Sequence, residues 1–207
     1  MSKAPSAKRI CAIVHASAKK AEREWRAVSG DDIGCAPEYW LSVHALQAMK
    51  RIPGFYRLEE PMREVVRDAV PARRGRLAIA LRATGRCDLV HRLQGDPYAP
   101  RGLIEFKTSV STVSHVTSDV KRILRALTCG GSSADNTLNY GIVHALTISH
   151  STEAAAKKLA NTLLRGVKAI LVDKDARLIC QSWEILVDSE TYDAPVYYAS
   201  CTFALGR

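Results

Sequence analysis

The chain has 207 residues, 47% apolar and 25% charged, and its thirty Lys and Arg against twenty-one Asp and Glu give a net charge of +9 and a pI near 9.4. That apolar fraction excludes a disordered polymer, and the length suits one domain with a sizeable core. The six cysteines, at 11, 35, 87, 129, 180 and 201, form no Cys-x-x-Cys pair, which argues against a zinc site or iron-sulfur cluster and for a reduced compartment.

Residues 1 to 9 read as a polar, flexible tail, and 10 to 207 as a single domain. The apolar stretch Ile10 to His15 is too short for a secretory segment, and no run approaches the eighteen apolar residues of a membrane span. A soluble, cytoplasmic protein with no membrane partner is expected. Ser17 to Val28 predicts a charged helix ended by Ser29-Gly30-Asp31-Asp32, and Pro37 opens a second helix that runs to about Met49, with Glu38 in its first turn. Tyr56 to Ala69 stays open between strand and helix. The run Arg73-Arg74-Gly75-Arg76 makes a basic turn before an apolar strand, Leu77 to Leu93, that is interrupted at Thr84-Gly85. Two Gly and two Pro in Gln94 to Gly102 mark a hairpin loop, after which Leu103 to Thr108 reads as the returning strand.

Val116, Val120, Ile123, Leu124 and Leu127 form a helical stripe that leaves Asp119, Lys121, Arg122 and Arg125 largely on the other side. The Gly-rich loop Cys129 to Asn136 lacks the Gly-Lys-Ser/Thr ending of a phosphate-binding loop, which excludes a nucleoside triphosphatase of that kind. Tyr140 to Ser149 suits a central strand and Thr152 to Val167 an amphipathic helix. Ala169 to Val172 and Arg177 to Val187 predict strands joined by the turn Asp173-Lys174-Asp175, and Val196 to Phe203 a last one. The expectation is an α/β (α+β) fold, with a central mixed sheet flanked by helices and additional C-terminal strands.

The chemistry concentrates on Asp88, in Gly85-Arg86-Cys87-Asp88-Leu89-Val90, and on Glu105 and Lys107, in Ile104-Glu105-Phe106-Lys107-Thr108. Alternation along a strand puts Glu105 and Lys107 on one face and Ile104 and Phe106 on the other. The hairpin loop makes the strands of Asp88 and Glu105 antiparallel neighbours. Two carboxylates a few ångströms apart suit Mg2+, which takes one or two protein carboxylates and completes its octahedron with water and phosphate oxygens. A cation so held acidifies water and neutralises charge developing on a phosphate, while Lys107 would position the water or stabilise the transition state.

These two segments and the hairpin between them resemble the core of the PD-(D/E)XK nuclease superfamily, the restriction-endonuclease-like fold. The motif covers about 24 residues, and the compatible element order runs from roughly residue 36 to 170. The resemblance implies a Mg2+-dependent deoxyribonuclease, with Mn2+ as a substitute, that hydrolyses double-stranded DNA and leaves a 5′-phosphate. Asp88, Glu105, the Phe106 carbonyl and Glu38 would be metal ligands, and Lys107 would act on the attacking water. No Gln-x-x-x-Tyr follows Lys107, which favours an endonuclease over the exonuclease-like branch. A homodimer or larger complex would suit double-strand cutting. Arg73, Arg74, Arg76, Lys121, Arg122 and Arg125 are the candidate phosphate-tracking residues, because phosphate neutralisation with counterion release supplies most non-specific nucleic-acid affinity. The rival expectation is a non-catalytic nucleic-acid-binding or assembly protein on the same fold.

Overall fold

The computed structural model describes residues 5–71, 85–129, 136–172, 176–189 and 192–207. The basic turn with Arg73, Arg74 and Arg76, the strand expected from Leu77 to Thr84, most of the Gly-rich loop and the Asp173-Lys174-Asp175 turn lie outside these residues.

The first helix, α1, spans Ala7–Ser29 and starts ten residues earlier than expected, taking up Ala7 to Arg9 of the expected tail. Ser6 supplies the reason, since its side chain accepts from the Arg9 N–H. From there Ile10, Val14, Ala18 and Ala21 continue one buried stripe. Gly30, at φ 74°, ends the helix in the left-handed conformation that glycine adopts without strain. Helix α2, Glu38–Met49, begins after Pro37 as expected.

The ambiguous stretch resolves into both states. Strand β1 is Phe55–Pro61, and helix α3, Met62–Ala69, follows directly with Met62, Val65, Val66 and Ala69 buried at helical spacing. Strands β2, Arg86–Arg92, and β3, Pro100–Val110, form the expected hairpin. Helix α4, Ser114–Leu127, crosses from β3 to β4, Tyr140–Thr147, every residue of which is buried. Helix α5, Glu153–Leu171, absorbs the strand expected at Ala169 to Val172, because Ile170 and Leu171 extend its packing on the core. Strands β5, Arg177–Asp188, and β6, Val196–Gly206, complete the chain order.

Among the described residues six strands share one sheet in the order β1-β2-β3-β4-β6-β5. The β3–β4 pairing is parallel and the others are antiparallel, so the fold is mixed α/β with a mixed sheet. On one face α1 and α2 pack over Leu89, Ile104, Phe106 and Ile142. On the other α3, α4 and α5 cover Val90, Leu103, Val143 and Phe203. Ile104 and Phe106 thus lie under the first layer and Leu103 under the second, as strand alternation requires. No described helix is long and apolar enough to cross a membrane.

Candidate active site

The β2–β3 ladder pairs Leu89 with Ile104 and Val90 with Leu103, and beyond this point the strands separate. The Phe106 N–H, which a continuing ladder would have used, donates instead to Asp88 Oδ2 at 2.7 Å. The gap between the strands is where Asp88 and Glu105 stand. Both non-glycine residues with positive φ among those described flank this gap: Glu59, between the paired residues Leu58 and Glu60 of β1, and Ser109, at the bulge after Lys107. Backbone strain of this kind persists where surrounding structure enforces it, and it gathers at functional sites. The Ser109 hydroxyl donates to the Gly34 carbonyl at 2.8 Å, tying the bulge to the turn that leads into α2.

Lys107 Nζ donates to Glu38 Oε2 at 2.9 Å, so the first turn of α2 does reach the site. Asp119 and Arg122, on α4, complete it. Lys107 Nζ lies 3.7 Å from Asp119 Oδ2, and Arg122 Nη2 donates to Asp119 Oδ1 at 2.8 Å. The same Nη2 stands 2.7 Å from Glu105 Oε1, a close ion pair whose angle falls short of a well-aligned hydrogen bond. Asp119 Oδ2 and Arg122 Nε also lack hydrogen bonds.

Glu105 is 1% exposed. Burial pushes its carboxyl up to about 8, with Arg122 opposing the rise and the Asp88 and Asp119 charges adding to it. Asp88 is pushed up to about 6, again mainly by burial; the Phe106 N–H and Lys107 hold it down, and the Glu38 and Glu59 charges raise it. Burial lowers the Lys107 ammonium, but the Glu38 hydrogen bond and the Asp119, Glu38 and Asp88 charges outweigh it, and the net shift is upward. Lys107 is therefore a charged donor at neutral pH rather than a base. Asp119 is raised by burial against the pull of Lys107 and Arg122.

The structure thus places Asp88, Phe106, Glu105, Lys107 and Glu38 in one neighbourhood, linked through Arg122 and Asp119. Arg122 and Asp119 are not where the sequence puts them. Arg122, expected to track phosphates, faces Glu105, and Asp119, expected on the outer side of the helix, is buried. Asp119 was legible in principle, since it sits three residues after Val116 and four before Ile123, on the flank of the apolar stripe. Lys121 and Arg125 are exposed on α4, and Arg73, Arg74 and Arg76 fall outside the described residues. His91 is buried against Tyr140, with 2.6 Å between Nδ1 and the phenol oxygen, a packing role rather than a substrate contact.

Among the described residues no three or more His, Cys, Asp or Glu side chains gather as a ligand set. Each expected ligand is instead engaged by a donor or cation of the protein: Asp88 by Phe106, Glu38 by Lys107, Glu105 by Arg122. The donor chemistry still suits a hard cation, because all these atoms are carboxylate oxygens and Glu105 Oε1 is buried without a hydrogen bond. No family model, curated protein or solved structure matches the chain.

Proposed function

We propose that the chain is a metal-dependent phosphodiesterase, a DNA endonuclease with a restriction-endonuclease-like core. The observation that carries the reading is the opening of the β2–β3 ladder at Leu89 and Ile104, which sets Asp88, Glu105 and Lys107 in one gap. The order α2, β1, β2, β3, α4, β4 and α5, with α3 inserted between β1 and β2, supports it, since the resemblance implies a helix, acid-bearing strands, a helix, a strand and a helix.

Asp88 and Glu105 would hold Mg2+ or Mn2+, with the Phe106 carbonyl and Glu38 as further oxygen donors. The cation supplies, when bound, Lewis acidity toward a phosphate oxygen and a more acidic water. The remaining work falls to the chain itself. Asp88 is oriented by the Phe106 N–H, which fixes one carboxylate oxygen and leaves the other available. Lys107, kept charged by Glu38, Asp119 and Asp88, donates to the attacking water or to the phosphate and stabilises charge that develops in the transition state. Glu38 orients that ammonium.

A non-catalytic nucleic-acid binder is the second reading, favoured by the cations already seated on the acids, Arg122 at Glu105 and Lys107 at Glu38. Incubation of the protein with duplex DNA in EDTA, Mg2+ or Mn2+ separates the two. Cleavage that needs the metal supports the nuclease; DNA retention without cleavage in either metal leaves only the binder.

A further inference from the structure

Among the described residues buried Arg92 has a hydrogen bond from every guanidinium nitrogen, whereas half-buried Arg122 holds its carboxylates incompletely. Its Nη2 hydrogen bonds to Asp119, its Nε has no hydrogen-bond partner, and it stands against Glu105 without aligning a donor on it. The guanidinium also reaches the start of β2, where Nη1 lies 2.9 Å from the position a Cβ on Gly85 would take. The arginine is also anchored from behind, since Asp119 is on its own helix three residues earlier and would keep hold of it if Glu105 let go.

We infer that Arg122 is the exchangeable counter-ion of Glu105: guanidinium and divalent cation compete for the same carboxylate, and Arg122 sets the metal concentration at which the site fills. This deepens the nuclease reading and rests on it. The competition follows from charge, since either cation favours the carboxylate form of Glu105 over the protonated one. Glu105 is 1% exposed and cannot turn to solvent, so it accepts one positive partner at a time in that direction. The guanidinium offers charge without an aligned hydrogen bond, whereas a hard cation offers charge and direct coordination to oxygen. Loss of alignment makes Arg122 the weaker holder, and the Asp119 tether makes its release reversible. Arg122 is thus a positioning residue that acts through Glu105.

The test is Mn2+ binding in the absence of nucleic acid, read by calorimetry and by the paramagnetic spectrum of free Mn2+. Arg122→Gln removes the competitor and should tighten Mn2+ binding about tenfold or more, the scale of one close charge pair. Arg122→Lys keeps the charge and should stay near wild type. Arg86→Gln removes an equal charge two residues from Asp88 without touching Glu105, and should change affinity by less than about twofold. If the wild type binds Mn2+ and Arg122→Gln binds it no more tightly, the exchange is overturned while the metal site stands. If the wild type binds no Mn2+ at millimolar concentration, the nuclease reading falls and this inference with it. Should Arg122→Gln fail to fold, arginine side-chain nitrogen NMR of the wild type decides. Saturating Mg2+ is expected to move the Arg122 guanidinium signals, and signals that do not move overturn the proposal.

Discussion

An ion-pair network lies near each end of strand β2, and the two differ in completeness. At one end Arg92, fully buried, uses all its guanidinium nitrogens: Nε and Nη2 donate to Glu60, Nη2 also to Asp68 at 3.1 Å, and Nη1 to the Pro97 and Tyr98 carbonyls. At the other, Glu105 Oε1, Asp119 Oδ2 and Arg122 Nε are left without hydrogen bonds. A saturated network fastens α3 and the β2–β3 loop to the sheet. An unsaturated one, held in a gap of the ladder, retains the capacity to take a ligand. Burial of charge by itself does not mark a site; here the unsatisfied groups coincide with the opening of the ladder.

That distinction can be broken most sharply by activity. Asp88→Ala and Glu105→Ala are each expected to lower metal-dependent DNA cleavage by about 10³-fold or more, with unchanged circular dichroism. Cleavage at the wild-type rate by either variant would dissolve the assignment.

Stability should respond the other way round. Arg92→Ala strands two carboxylates and is expected to cost about 3–5 kcal/mol, measured by urea unfolding, whereas Arg122→Gln should cost less than half of that. Equal losses would erase the difference between the two networks.

The pH dependence carries a sign. Burial holds the Glu105 carboxyl at about 8 in the fold, against about 4.3 when unfolded. Between these values the folded state binds the extra proton, so this group's contribution falls as pH rises from about 4.5 to about 8. Glu105→Gln should remove that decline and be relatively more stable at pH 8 than at pH 4.5. Denaturant midpoints for both proteins across the range read the difference, and parallel curves would place the titration elsewhere.

The smallest effect concerns the exposed face of α4. Lys121→Ala and Arg125→Ala should each weaken DNA binding for all sequences alike and flatten the log-log salt slope by about 0.9 per phosphate contact. Slopes unchanged from wild type would move the contact surface off this helix.

Much of the acid-bearing hairpin is legible because it is local. Period-two alternation fixes Glu105 and Lys107, and Gly and Pro in Gln94 to Gly102 fix the return. What the sequence hides is set at long range. That Glu38 meets Lys107 across sixty-nine residues depends on the packing of α2 on the sheet. Arg122 reads as one more basic residue on a helix face until α4 is placed against β3, when it turns out to oppose Glu105. The early start of α1 is different in kind: Ser6 as N-cap and the Ile10, Val14 stripe are local signals, but they lie beside the polar residues Lys8 and Arg9.

Strand β6 follows β5 in sequence yet lies between β4 and β5 in the sheet. During synthesis, the hairpin of β2 and β3 and the crossover to β4 can assemble as they emerge, while one side of β4 and the inner side of β5 wait for a strand the ribosome has not yet delivered. Until then the fully buried residues of β4 face an open seam. Nascent chains arrested before Val196 are therefore expected to engage holding chaperones, and emergence of Val196–Gly206 should be the step that makes them protease-resistant.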